Sequence, residues 1–259
     1  MNRAIRLLGA SGLLALTACE LSTRARVLED QALSVAGLDR LAVEAGAGRL
    51  DVVGVPGLDR IEVEATLYWA ATQSTDRVLD ALVYALRPVG RRALLDVGFV
   101  RHGLVPEPFV DAVVRVPRGF AVEIRDGSGE LTLADVGPAD IDDGSGDLSV
   151  RGVDGPLVLR DGSGTVAVEA VTGPVRIDDD SGDLSVRAVR GSVRIADGSG
   201  DMTVVEVDGD VDISDGSGDI RVRSVGGSVR ISDGSGDIVL EDAPDATILR
   251  DESGRVVRI

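Results

Sequence analysis

Apolar residues along this chain recur in columns rather than in helical stripes. Leu148, Val166, Leu184, Met202, Ile220 and Ile238 share one position, and Val150, Val168, Val186, Val204, Val222 and Leu240 share the position two residues on. Val153, Val171, Val189, Val207 and Val225 form a third column. Leu157, Val175, Val193, Val211 and Val229 form a fourth, and Leu159, Ile177, Ile195, Ile213 and Ile231 a fifth. Within each half-unit apolar and polar residues alternate, and most of the apolar ones are β-branched. That is the strand period of two, not the helical 3.6.

The columns are spaced by a turn written eight times. Asp126-Gly127-Ser128-Gly129 returns from Asp143 and Asp161, then as Asp179-Asp180-Ser181-Gly182. It continues as DGSG from Asp197, Asp215 and Asp233, and ends as DESG from Asp251. The first step is 17 residues and the next six are 18 each. A second glycine column, from Gly155 to Gly227, marks the other turn. Each unit therefore reads as two short strands and two turns, and a fixed period of this size belongs to a stacked repeat architecture. The predicted fold is all-β, a right-handed β-solenoid of coils of about 18 residues, with like residues about 4.8 Å apart on adjacent coils. One coil cannot bury its own apolar face, so only the stack is stable. A β-sandwich of short hairpins is the competing architecture, but it has no need of identical columns.

Upstream, the array continues in a looser form. Gly37-Leu-Asp-Arg-Leu-Ala-Val-Glu-Ala45 is nearly repeated from Gly57 to Ala65, and Gly46-Ala47-Gly48 between them echoes the DGSG turn. Residues 38–120 are thus read as N-terminal coils carrying an insertion over 66–120. All six aromatic residues lie there: Tyr68, Trp69, Tyr84, Phe99, Phe109 and Phe120. A long hairpin is expected around Pro88-Val89-Gly90, from Leu79–Leu86 and Ala93–Val100, with a further strand over Val110–Val116. This insertion either caps one end of the stack, as solenoids require, or presents Tyr68, Trp69 and Tyr84 as a recognition surface. Residues 121–259 form the regular array.

The first 18 residues read as an export signal, with Arg3 and Arg6 ahead of a short apolar run from Leu7 to Leu16. Leu16-Thr17-Ala18-Cys19 resembles the lipobox of bacterial lipoproteins, and Cys19 is the one cysteine of the chain. The resemblance implies cleavage before Cys19 and its acylation, a stable anchor when more than one chain is attached. Glu20 in place of aspartate resembles the outer-membrane-sorted class. Residues 19–37 are then the lipidated cysteine and a tether. The expected location is the cell envelope, anchored to a membrane and most consistent with the outer one. Without a second cysteine there is no disulfide to hold the fold.

Charge alters the functional picture. Residues 1–120 carry 14 acidic side chains and 14 arginines, whereas residues 121–259 carry 30 against 13, so the whole net charge of −17 sits in the array. That field argues against nucleic acid and against lying flat on anionic lipid. Stacking sets Asp143, Asp161, Asp179, Asp197, Asp215 and Asp233 in one column and Asp147, Asp183, Asp201, Asp219 and Asp237 in another. Like charges at that spacing repel by about 1 kcal/mol in water, so something offsets them. Two readings are open: the carboxylates accept turn amides, or they bind calcium between coils. The cassette differs from calcium-binding nonapeptide solenoids, because Leu148, Leu184 or Ile220 stands where their ligand aspartate falls. Outward Arg151, Arg187 and Arg223, with Glu169 and Glu241, are read as solvated cross-strand pairs.

No catalytic constellation is legible. His102 is the lone histidine, the DGSG serines lack a base, and the aspartates repeat uniformly where a glycosidase needs one differentiated pair. No cofactor and no enzymatic role are expected. The S-G-D-(I/L)-x-V and V-x-G-x-V-x-I motifs behind a lipoprotein signal resemble a bacterial β-strand-repeat family grouped as candidate adhesins, domain-of-unknown-function family 4097, over residues 38–259. The resemblance implies a β-helix-like envelope protein without assigned catalysis. Two functions follow as expectations: an adhesion or binding surface, or a periplasm-facing scaffold or stress sensor acting through a protein partner. A polysaccharide-acting β-helix enzyme is a distant third. The short half-repeat from Arg255 to Ile259 leaves two readings open: self-association through a strand edge, or an edge blunted by Pro244 and the terminal arginines.

Overall fold

The computed structural model describes residues 23–100, 104–243 and 245–259. In chain order the first elements are β1 (Thr23–Val27), β2 (Gln31–Ser34), β3 (Arg40–Ala45), β4 (Leu50–Val55), β5 (Arg60–Ala70), helix α1 (Thr75–Ala81), β6 (Leu82–Val89), β7 (Arg92–Phe99), β8 (Phe109–Pro117), β9 (Ala121–Asp126) and β10 (Leu131–Ala134). Two sheets face one another, one of 13 strands and one of 11. The fold is a β-solenoid, with eight coils from Ala121 onward.

Each regular coil takes the same route. A strand such as Leu157–Asp161 lies in the second sheet, the DGSG turn crosses over, and Val166–Val171 returns in the first sheet. Like elements pair parallel and in register at a shift of one repeat: Val175 with Val193, Ile177 with Ile195, Met202 with Ile220. All five apolar columns of the regular coils lie inside.

The third column sits three residues after the second, which strict alternation forbids. The backbone solves this with one left-handed residue per coil. Gly152, Ala170, Ala188, Glu206, Ser224 and Asp242 occupy φ between +49° and +69°, as does Asp135 in the preceding coil. The kink turns a second apolar side chain inward before the corner. Only Gly152 fits without strain, since the left-handed region costs other residues about 1–2 kcal/mol. Ala188→Gly is therefore expected to raise stability by up to about 1 kcal/mol, because relief of strain outweighs the extra chain entropy of glycine. Urea denaturation read by circular dichroism checks this; a lower midpoint would exclude strain at that position.

The N-terminal end is built out of sequence order. β3 and β4 form a coil, and Gly46-Ala47-Gly48 stacks beneath the first DGSG turn, with Ala47 bridging Ser128 and the Gly48 amide donating to the Ser128 carbonyl. The chain then leaves through β5, α1 and β6 and returns as β7 and β8, which pair parallel with β3 and β4 on their outer side. From β8 it crosses back to β9, on the inner side of β3. Residues 92–117 thus make a further coil beyond the one formed by residues 40–55.

The rest of the insertion covers the end. β6 pairs antiparallel with β7, and the hairpin runs from Leu82↔Phe99 to Val89↔Arg92. Helix α1 takes in Leu79, Asp80 and Ala81, the first three residues of the expected strand Leu79–Leu86: Asp76 sits in its first turn, and Val78 and Ala81, three apart, share the buried face. β5 pairs antiparallel with β8, and β1 and β2 pair antiparallel with β5. Antiparallel strands end the parallel stack, so no further coil continues it on that side.

Candidate functional site: the aspartate-lined edge

The DGSG edge is where charge, repetition and unusual burial coincide. The two aspartate columns, alike in sequence, are physically different. In Leu157-Val158-Leu159-Arg160-Asp161 the period of two continues past the apolar pair, so the aspartate points inward with Leu157 and Leu159. Asp126, Asp143, Asp161, Asp179, Asp197, Asp215 and Asp233 are all buried, between 1% and 7% exposed. Adjacent members are in register across each strand pair.

Four of the buried carboxylates hydrogen-bond their own turn. Oδ1 accepts the amide of the serine two residues on: Ser181 on Asp179 at 3.3 Å, Ser199 on Asp197 at 3.2 Å, Ser217 on Asp215 at 3.3 Å, and Ser235 on Asp233 at 3.1 Å. This is the Asx-turn geometry. Oδ2 of these four, and both oxygens of Asp143 and Asp161, are shielded and have no partner. Desolvation first, and the neighbouring Asp143, push the Asp126 carboxyl up to about 7. Burial, then adjacent aspartates, push Asp143, Asp179 and Asp215 up to about 6. Asp161, Asp197 and Asp233 are raised by burial as well. A buried carboxyl without a cation favours its neutral form.

The second column faces solvent and works between coils. Oδ1 of Asp147 accepts the Thr165 amide at 3.2 Å, Asp183 that of Asp201 at 3.1 Å, and Asp201 that of Asp219 at 3.0 Å. Asp219 then accepts that of Asp237 at 2.9 Å, and Asp237 that of Arg255 at 3.0 Å. Each outer aspartate thus caps the first amide of the next coil's strand. The Arg255 guanidinium, donating to Asp237 Oδ2 at 2.8 Å, holds that carboxyl below its usual range.

Calcium was one of two readings of these columns. Among the described residues no group of three or more histidine, cysteine, aspartate or glutamate side chains is placed to hold a metal ion. The carboxylate partners observed are backbone amides in both columns, with the Arg255 guanidinium added at Asp237. Asp143, Asp179, Asp197, Asp215 and Asp233 point into the interior, while Asp147, Asp183, Asp201, Asp219 and Asp237 lie outside, so the two sets do not share a face. The inward set was legible in principle, because the alternation Leu157, Leu159, Asp161 continues the apolar face. The glycine-rich motif beside it masks that signal.

The aromatic set does not form a recognition surface. Trp69 is 6% exposed and packs in the core, with its indole N–H unpaired. Tyr68, next along β5, points the other way and stacks on Phe109, with ring centroids 4.9 Å apart at 14°. Tyr84 lies half-buried on β6 and donates its hydroxyl to the Val63 carbonyl at 3.3 Å; burial pushes that hydroxyl up to about 12. Three aromatics close in sequence are thus dispersed by strand alternation and by the hairpin. Cys19 and His102 lie outside the described residues. On the outer faces, Arg151 pairs with Glu169 at 3.9 Å and Arg194 with Asp212 at 3.2 Å, exposed contacts of small energetic weight. A shallow groove over the second sheet is lined by Pro156, Pro174, Arg176, Arg194, Asp212 and Arg230.

In-register parallel coils, one left-handed kink per coil and a glycine-cornered aspartate edge define a β-solenoid repeat protein. The chain belongs to the Toastrack family, DUF4097, whose profile matches residues 97–251. Among solved structures it is similar to a candidate adhesin from Bacteroides fragilis NCTC 9343, at 13% identity and a TM-score of 0.46, over 90% of this chain and 97% of that one. It is also similar to a candidate cell-adhesion protein from Clostridium sporogenes ATCC 15579, at 10% identity and a TM-score of 0.33, over 91% of this chain and 99% of that one. A search of curated proteins finds no match.

Proposed function

We propose that this chain is a lipid-anchored cell-envelope protein that presents its acidic solenoid as an adhesion or binding surface and catalyses no reaction. The observation that carries this reading is the in-register stack itself. Strand partners such as Ser185 and Thr203, or Arg176 and Arg194, stand directly opposite one another, so the outer faces bear rows of side chains repeating at the strand spacing. Such a surface suits many weak contacts along an extended ligand better than one differentiated pocket. The export signal and the lipobox ending at Cys19 support display from a membrane, and Glu20 supports the outer one.

Protease treatment of intact cells tests this, with an inner-membrane lipoprotein as control and permeabilised cells alongside. Digestion of the array in intact cells is the expected result. Survival until the outer membrane is opened would overturn surface adhesion and direct attention to a periplasmic protein partner.

A further inference from the structure

If Cys19 carries the lipid, the fold leaves it little rope. β1 begins at Thr23, and its first residue is already locked opposite Ala70 of β5. Only Glu20, Leu21 and Ser22 separate the two, and the four Cα steps from Cys19 to Thr23 span at most about 14 Å. The part of the cap around Thr23 therefore stands at the headgroups.

What the cap presents there is distinct from the rest of the molecule. Arg24 donates to the Thr75 hydroxyl at 3.3 Å, and Gln73, in the turn after Ala70, donates to the Pro106 carbonyl at 2.7 Å. That bond ties the loop between β7 and β8 to the same corner. The loop carries Val105, 84% exposed, with Val100 at 66% and Phe109 at its far end at 36%. The Val110 amide donates to the Ala47 carbonyl, so Phe109 lies at the end of the DGSG edge. There the acidic turns give way to uncharged Gly46-Ala47-Gly48. Once the chain is cleaved before Cys19, residues 19–120 carry 14 acidic side chains against 12 arginines, a net of −2, whereas the array carries −17. An anionic bilayer therefore repels the array far more strongly than the cap.

We infer that Val100, Val105 and Phe109 form a bilayer-contacting tip that seats the cap in the membrane interface beside the lipid anchor, with the acidic coils directed away. This inference rests on the lipoprotein reading above. Exposed apolar side chains beside a lipid chain add reversible membrane affinity and fix orientation.

The test uses full-length lipidated protein in phosphatidylcholine vesicles containing a fraction of phosphatidylglycerol and a headgroup spin label. Cys19 is the sole cysteine and is blocked when lipidated, so Val105→Cys, Val100→Cys and Ser214→Cys each give one thiol for a fluorophore. Ser214 is an exposed site on the second sheet in mid-array. Quenching several-fold stronger at 105 and 100 than at 214 is expected. Equal quenching at all three sites, or none at 105 and 100 in vesicle-retained protein, would overturn the inference. Failure of the anchor reading looks different: the protein itself is then washed from the vesicles, and Cys19→Ala changes nothing.

Discussion

Gly200→Ala is expected to unfold the central coils, costing about 3–5 kcal/mol. Gly200 closes a DGSG turn at φ +147°, a region that side chains rarely enter, and its equivalents at 129, 146, 164, 182, 218, 236 and 254 lie between +132° and +150°. A β-carbon there would stand 1.8 Å from the Gly182 carbonyl oxygen of the preceding coil and 2.5 Å from its carbon. The obstruction is backbone, and it belongs to a turn that is itself fixed by the coil before it. Backbone strain of about 1–3 kcal/mol adds to an overpacking cost of similar size. Glycine fills this position in all eight turns.

The first glycine of the motif supplies the control. A β-carbon at Gly198 would meet the Asp180 carbonyl oxygen at 2.4 Å, but its φ is ordinary and Asp180 and Glu252 fill the equivalent place in two turns, so Gly198→Ala is expected to cost about 1–2 kcal/mol, well below Gly200→Ala. Chemical denaturation of both variants decides the matter. Equal midpoints would mean that the coils are not in the tight register described. Because each coil contacts only its neighbours, the Gly200→Ala transition should also split, with coils flanking the lesion melting first.

The second large effect is a stability that rises as pH falls. Asp126 titrates at about 7, and Asp143, Asp179 and Asp215 at about 6, against an ordinary value near 3.9 in the unfolded chain. Groups whose folded pKa is raised bind protons more readily in the fold. Their stabilising contribution is therefore complete below about pH 4 and lost as pH rises through 6 to 7. Each unit of difference is worth about 1.4 kcal/mol per group. Since neighbouring carboxyls titrate as a coupled set, the column contributes several kcal/mol in all rather than the simple product.

No cation opposes this. The charged neighbours acting on the column are further acids: its own members, with Asp142, Asp180, Asp219 and Asp251. Asp237, lowered by Arg255, pulls the other way at the surface. Melting temperature is thus expected to be higher at pH 5 than at pH 8. Asp215→Asn keeps an oxygen for the Ser217 amide and cannot ionise, so it should melt higher than the parent at pH 8, with the gap narrowing as pH falls and closing only below about pH 4. A melting temperature that climbs from pH 5 to 8 would show that the carboxyls find counter-charge or water inside the fold.

Much of this protein is written in its residues. The 18-residue period, the β-branched columns and the turn glycines dictate strands, parallel stacking and the identity of the core, because a period-two apolar pattern repeated at fixed spacing has one way to bury itself. The hairpin around Pro88-Val89-Gly90 was legible for the same reason. The burial of Asp161 and its equivalents was less so: a carboxylate reads as solvent-facing by its chemistry, and only the neighbouring coils, by enclosing the turn, keep it inside. The left-handed residues Ala188, Glu206 and Ser224 share no side chain, since the kink is imposed by packing pairs such as Val168 and Val171 on one face.

The cap lay furthest from sequence reasoning. β7 and β8 stack on the far side of β3 and β4, although they follow them in the chain. Their place is set by contacts with residues some fifty positions away, so no local pattern announces it. Trp69, Tyr68 and Tyr84 part company for a related reason, as alternation along β5 and the fold of the hairpin carry them to different surroundings. The repeat alone determined the stack, because each coil meets a copy of itself. The stack's end meets no copy, and there only the tertiary structure decided which strands close it and which loop lies beside Thr23.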